Sequence, residues 1–323
     1  MEKTQPNQRL GLRLIDIAVR CSVDQPTHVA YADESYYTKH RYRSIAVVTL
    51  GADRRQVVTR LFANLLRRAS LKEFKWSKLR QARERFAALQ MVDRVVELSL
   101  HGRLRLDVLI WDTRDSRHQI RGRDDIANLQ RMYYQLFKNV LQRRWPPESS
   151  WKLYPDQNSA LDWIAVQDYL DTAGLAITLE GNFLDEGGFR IRLAHDFRIL
   201  EICEVCSADE PICQVADLFA GLGAYSHSAY AKYECWLRNE SGQMALELDL
   251  EGDSTEFDLS GSDRERCAVM KHLDSCCKRH KLHVGLKSSR GFRTYNPEFP
   301  INFWPYEPQH PEDKAPVKLG HSE

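Results

Sequence analysis

The order of apolar and polar positions divides the chain into short strand-like runs and longer helix-like ones. Thr27 to Ala32 and Arg41 to Leu50, the latter built on Ile45-Ala-Val-Val48, predict two strands, and the short polar connection between them predicts an antiparallel pair. A helix is predicted from Asp53, as N-cap, to about Ala69. The next, from about Arg80 to Leu100, places Phe86, Leu89, Val92, Val96 and Leu100 on one inward face. Gly102 ends it; Arg103 to Trp111 then reads as a central strand, and Asp125 to about Trp145 as a helix stopped by Pro146-Pro147. Trp151 to Tyr154 predicts a strand, Ala160 to Ala173 a helix, Leu175 to Glu180 a further short strand, and Phe197 to Cys206 a strand feeding a helix from Pro211 to Tyr225. Asp263 to about Lys281 is a last helix, followed by a Pro-, Gly- and aromatic-rich tail from Leu286. Residues up to about Gln25 read as a polar extension with an amphipathic turn around Leu10 to Val19.

Strands alternating with helices after an initial hairpin predict an α/β domain with a mixed sheet. Within it the helix at Pro211 breaks its own pattern. Val215, Leu218, Phe219, Leu222 and Tyr225 form one buried face, Pro211 suits a first turn, and yet Asp217 lies inside the apolar run beside Ala216, Ala220, Gly221 and Ala224. A desolvated carboxylate is costly unless a cation meets it. The small neighbours predict close packing of this helix on the sheet.

Other acids fall at the ends of predicted elements: Asp33 after the first strand, Glu73 between two helices, and Asp112 and Asp156 after two later strands. Strand ends of open α/β sheets converge on one edge where ligands bind. Carboxylates meeting there suit one or two Mg²⁺ or Mn²⁺ ions, and a pair about 4 Å apart can activate water and stabilise the leaving oxygen of a phosphodiester. Lys75 is then placed to hold phosphate. Taken one at a time, each strand-end acid reads more simply as a helix cap or a solvated group.

Composition narrows the setting. The formal charge is +1, but Arg54 to Arg85 is strongly basic, with Glu73 and Glu84 its sole acids, whereas Glu247, Asp249, Glu251, Asp253, Glu256 and Asp258 lie in a stretch without a basic residue. The first can meet nucleic-acid phosphates, and the second reads as a solvated insertion. Eight scattered cysteines and no apolar leader predict free thiols in a reducing cytoplasm, and no stretch is apolar enough to span a membrane.

Three stretches, Tyr31-Ala-Asp-Glu-Ser35, Glu73-Phe-Lys-Trp-Ser-Lys78 and Gln214-Val-Ala-Asp-Leu-Phe-Ala-Gly221, resemble in order the Asp-Glu-Ser, Glu-x-Lys and Gln-x-Ala-Asp-x-x-Ala-Gly motifs of the bacterial and phage family called domain of unknown function 3800. The resemblance covers about Val29 to Tyr225. It implies a ribonuclease H-like mixed β-sheet flanked by helices over residues 27–238, preceded by the extension of residues 1–26. Residues 239–323 then form an acidic insertion, a helix and an aromatic-rich extension packed on the core. Tyr36 stands where the family commonly has Gly. Carried over by residue, Asp33, Glu73, Asp156 and Asp217 would hold Mg²⁺ or Mn²⁺, with Glu34 and Asp112 as alternates, and Lys75, Lys78 and Arg80 would contact substrate. The implied function is metal-dependent hydrolysis of DNA or RNA; the alternative is a catalytically silent nucleic-acid- or protein-binding module on the same scaffold.

Three rival patterns are weaker. Cys203-Glu-Val-Cys206 has zinc-knuckle spacing, and Cys276, Cys277, His272, His280 or His283 can complete it, but cysteines in a strand more often serve as small hydrophobes, so zinc is not expected. Ser226-His227-Ser228 lacks an ordered acid partner, and Gly221-Leu-Gly223 and Gly187-Gly188 lack the strand and helix context of a phosphate loop. Tyr133, Tyr134, Trp145 and Trp151 near Arg131, Arg143 and Arg144 can stack bases, but read first as core beside a solvated face.

Overall fold

Continuously buried strands, covered on both faces, build one large sheet. In the computed structural model, β1 (His28–Ser35) pairs antiparallel with β2 (Tyr42–Gly51), and β2 pairs antiparallel with β3 (Arg105–Asp112). β4 (Ser149–Pro155) lies parallel to β1 on its other side, β7 (Phe197–Ile202) lies parallel to β4, and β10 (Ile301–Pro305) lies parallel to β3 at the opposite edge. The order across the mixed sheet is β10-β3-β2-β1-β4-β7. Two small antiparallel pairs stand apart, β5 (Leu175–Glu180) with β6 (Arg190–His195) and β8 (Val284–Gly285) with β9 (Arg293–Thr294). The structure describes residues 25–35, 40–115, 124–158, 160–180, 190–195, 197–240 and 259–307. The amphipathic turn near Leu10, Tyr36, Gly187-Gly188, the acidic stretch from Glu247 to Asp258 and the last residues of the tail lie outside them.

Helices cover both faces. On one, α3 (Asp125–Arg143) and α4 (Trp163–Gly174) pack on Ala30, Ala32, Ile45, Val47, Trp151 and Leu153. On the other, α1 (Arg55–Arg68), α2 (Ala82–Leu100), α5 (Pro211–Ser228), α6 (Tyr230–Glu240) and α7 (Gly261–Arg279) share a core with Val29, Tyr31, Ala46 and Val48. Alternation along β1 therefore sends Tyr31 and Asp33 to the α5 face, and Ala32 and Glu34 to the α3 face.

Four expectations need correction. Asp53 does not cap α1: it sits in a one-turn 3₁₀ segment, Ala52–Arg54, and Arg54 takes the N-cap position without a side-chain bond. In α2 the inward face is Ala87, Ala88, Met91, Val92, Val95 and Val96, while Phe86 and Leu100 are exposed, because small alanines let α7 pack closely there. β7 stops at Ile202, so Cys203 and Cys206 lie beyond the strand, half-buried and exposed respectively. Finally, α5 is buried on all sides from Pro211 to Ser226, since β1, β2 and β3 lie under it and α1, α6 and α7 also pack against it. The segment after residue 258 is integral to this architecture, with α7 in the shared core and β10 forming a sheet edge.

The aromatic–arginine cluster divides as well. Tyr133 and Trp151 are fully buried, Trp145 donates to Thr49 Oγ1, and Arg144 pairs with Glu298. These side chains serve packing.

Candidate functional site

Register alone brings two acids side by side. Ala32 pairs with Pro155 across the parallel β1–β4 ladder, so the next residues, Asp33 and Asp156, leave adjacent strand ends together, and the Asp156 amide donates to the Ala32 carbonyl at 2.8 Å. Asp156 also bridges Val205, at the end of the next strand.

The connection before α2 supplies the third acid and the cation. Phe74 and Trp76 are buried in the core, so in this extended stretch the alternate residues Glu73 and Lys75 turn the other way. α5 fixes that stretch through two side chains: Gln214 Oε1 accepts from the Phe74 amide and Asp217 Oδ2 from the Trp76 amide, both at 2.7 Å. Gly221, one turn further along α5, leaves room for the Trp76 ring, since a Cβ there would stand 2.1 Å from Trp76 Cγ. The odd Asp within an apolar helix thus has a local partner, a backbone amide.

Lys75 Nζ reaches Ser207 Oγ at 2.6 Å, Asp156 Oδ2 at 3.5 Å and Glu73 Oε1 at 3.7 Å. Ser207 ties the set together: its amide donates to Asp156 Oδ1 at 3.0 Å and its hydroxyl approaches Glu73 Oε1 at 3.3 Å, while its carbonyl accepts from Gln214 Nε2 at 2.7 Å. Lys78 Nζ lies 3.7 Å from Glu73 Oε2 and is largely exposed, as is Arg80. Four carboxylates therefore gather about one half-buried ammonium. Among the described residues, no three of these acids bring oxygens within 4.8 Å of one another.

Burial and mutual repulsion set the acidity of these groups. Burial pushes the Asp33 carboxyl well above its ordinary range, and the charges of Asp217, Glu34 and Asp156 add to this while Lys75 opposes it. Burial pushes Asp217 up to about 6, restrained by the Trp76 amide and Lys75 and aided by Asp156 and Glu73. Burial of Lys75 favours the neutral amine, yet Asp33, Asp156, Asp217 and Glu73 outweigh it and raise its pKa.

Of the alternates, Asp112 separates from this group, while Glu34 points to the other face of the sheet yet adds its charge to Asp33 and feels that of Asp156. Asp112 is held by Arg41 in a two-pronged ion pair at 2.7 Å at the end of β3; burial raises its pKa but the Arg41 hydrogen bonds lower it further. Asp156 accordingly completes the set. Glu34 faces α3, where Tyr133 Oη and Asn158 Nδ2 donate to it. Ser207 was not foreseeable, because an isolated Ser in Cys206-Ser-Ala-Asp-Glu210 carries no motif. Gln214 opens the third of the resembling motifs and, with Asp217, is a polar residue inside a run that is otherwise apolar or small.

With Asp33 and Asp217 raised above the unfolded carboxylate value near 3.8, these two carboxyls hold more protons in the folded chain than in the unfolded one between about pH 4 and 6, whereas His28 and His227, lowered by burial, act in the opposite sense. The stabilising contribution of the two carboxyls is complete below that window and is lost as pH rises through the folded value. In metal-free protein the stability of Asp217→Asn relative to wild type should therefore rise between pH 4 and 7, since His28 and His227 contribute equally to both; a difference that stays constant through this window would contradict the assignment.

The donor set suits a hard divalent cation: every ligand is an oxygen, and the buried acids exceed the single lysine that neutralises them. No family model matches the chain. It is 39% identical over 296 residues to "Uncharacterized protein ORF2'" of Methanothermobacter thermautotrophicus, covering 89% of this chain and 97% of that protein. It is 38% identical over 300 residues to "Uncharacterized protein ORF2" of the same organism, with the same coverage. At this identity, over nearly the full length of both, the chain belongs to the family of these ORF2 proteins.

Proposed function

We propose that the chain is a metal-dependent nuclease hydrolysing phosphodiester bonds of DNA or RNA. The observation that carries this reading is the gathering of Asp33, Asp156, Asp217 and Glu73 about Lys75 at the ends of β1 and β4. The strand order β3-β2-β1-β4-β7, with β2 antiparallel to both neighbours, supports the ribonuclease H-like scaffold that the three motifs imply. Asp33, Glu73, Asp156 and Asp217 would hold Mg²⁺ or Mn²⁺, which when bound supplies a Lewis acid that lowers the pKa of water. Lys75 is placed to meet a phosphate oxygen, Ser207 orients Lys75, Glu73 and Asp156, and the Trp76 amide fixes Asp217. Exposed Arg60, Arg67, Arg68, Lys72, Lys78 and Arg80 provide positive charge for a polyanion.

The second reading, a catalytically silent binding module, draws on one observation: Lys75 already pairs with Glu73 and Asp156. Incubation of the purified chain with end-labelled single- and double-stranded DNA and RNA in Mg²⁺ or Mn²⁺, against a chelator control, decides between them. Metal-dependent cleavage supports the nuclease; nucleic-acid binding with neither cleavage nor calorimetric Mn²⁺ binding replaces it by the binding module.

A further inference from the structure

Far along α2 and α7 from the carboxylates, three different ligand chemistries converge. His272 and Cys276 stand one turn apart on the same side of α7, and Asp93 faces them from α2. His272 Nε2 lies 2.7 Å from Asp93 Oδ1, and Cys276 Sγ lies 3.6 Å from each of those two atoms. Asp93 and His272 are partly exposed and Cys276 is buried, so the group has a wet side and a dry side. It borders a cleft that His101 and His280 also line, His280 continuing the stripe one turn beyond Cys276.

This triangle does not suit nucleophilic catalysis. In a Cys–His–acid relay the acid and the thiol bond opposite ring nitrogens. Here both meet the same nitrogen, Nε2, which is how ligands converge on a shared cation. Tetrahedral zinc, with bonds of about 2.3 Å to sulfur and about 2.0 Å to nitrogen and oxygen, sets S···N and S···O near ~3.5 Å and N···O near ~3.3 Å. Both sulfur separations already match. The Asp93–His272 separation must open by roughly 0.6 Å, the step from a hydrogen bond to a bridging metal.

We propose that Asp93, His272 and Cys276 form a zinc site that ties α7 to α2, its fourth position facing the cleft. The mixed oxygen, nitrogen and thiolate set selects a borderline-soft ion over Mg²⁺ and Mn²⁺, which separates it chemically from the all-oxygen acids around Lys75. On binding, the thiol releases its proton to solvent, and the neutral imidazole coordinates through Nε2 with its proton on Nδ1. The role is structural: the ion would pin the helix that brings the C-terminal segment into the core.

The test uses the full chain stripped of metal. Zn²⁺ titrated against a chromogenic chelator should bind at one tight equivalent, and Co²⁺ should give a thiolate charge-transfer band with tetrahedral visible absorption. Cys276→Ser should abolish the charge-transfer band, and His272→Asn should weaken Zn²⁺ binding at least ~10-fold. Should Cys276→Ser fail to fold, Asp93→Asn, at a partly exposed position, should likewise weaken binding at least ~10-fold. Wild-type Zn²⁺ affinity in these variants, loss of binding only in Cys203→Ser/Cys206→Ser, or no Co²⁺ thiolate band would overturn the proposal. Asp217→Asn should leave the Co²⁺ spectrum unchanged, so failure here and failure of the nuclease reading are distinguishable.

Discussion

Asp217→Asn should reduce the proposed metal-dependent cleavage about 10³-fold while leaving the fold intact. The amide keeps the oxygen that accepts from the Trp76 N–H at 2.7 Å, so the loop carrying Glu73 and Lys75 stays docked on α5. What it would remove is one negative ligand of the proposed metal ion. A bound metal contributes several kcal/mol of transition-state charge stabilisation, and losing about 4 kcal/mol of it at ~1.4 kcal/mol per tenfold gives that factor. Initial rates on a labelled oligonucleotide in Mn²⁺, with circular dichroism of both proteins, provide the measurement. A folded variant that cleaves at the wild-type rate would remove Asp217 from the site and, with it, the nuclease assignment.

Gly221→Ala should destabilise the chain by about 3 kcal/mol, at the upper end of ordinary overpacking effects. The added methyl would meet Trp76 Cγ, Cδ1 and Cδ2 at 2.1 to 2.4 Å, and the ring is fully buried with no open side to move into. Displacing Trp76 also draws its amide away from Asp217, so the variant should lose Mn²⁺ affinity as well as stability. Gly261→Ala provides the control: nothing lies within 4 Å of its added carbon, and its urea midpoint should stay close to wild type. Equal midpoints for the two variants would show that Trp76 does not clamp α5 as described.

Much of this site was legible from residue order because strand ends and helix spacing are local properties. Asp33 and Asp156 could be found as acids just after apolar runs, and Asp217 as a charge where only apolar or small residues belong. The choice of Asp156 over Asp112 was not legible, because it depends on β4, not β3, lying beside β1, and on Arg41 reaching across to Asp112. Arg55 reads as part of a basic helix face, yet it is bonded to Tyr154 and paired with Glu210, both distant in sequence. In α2, side-chain size misled the reading: Phe86 is the most apolar residue of its turn, but close helix packing selected Ala87 and Ala88 for the interior. The tail was harder still. Ile301–Pro305 is five residues long and ends in proline, so its strand character comes from the β3 edge it meets.

That edge strand fixes the order in which the fold can be completed during synthesis. Asn302 pairs with Asp107 in the β3–β10 ladder and its side chain donates to the Asp107 carboxylate at 3.0 Å, across almost two hundred residues of intervening chain. Until the last of those residues leaves the ribosome, β3 presents a bare row of amides and carbonyls on its outer side. Arg105 and Asp107, paired at 2.8 Å on that same strand, put charge on the waiting edge and so guard it against joining the wrong partner. Completion of the sheet at this edge thus waits for a segment almost two hundred residues downstream of β3.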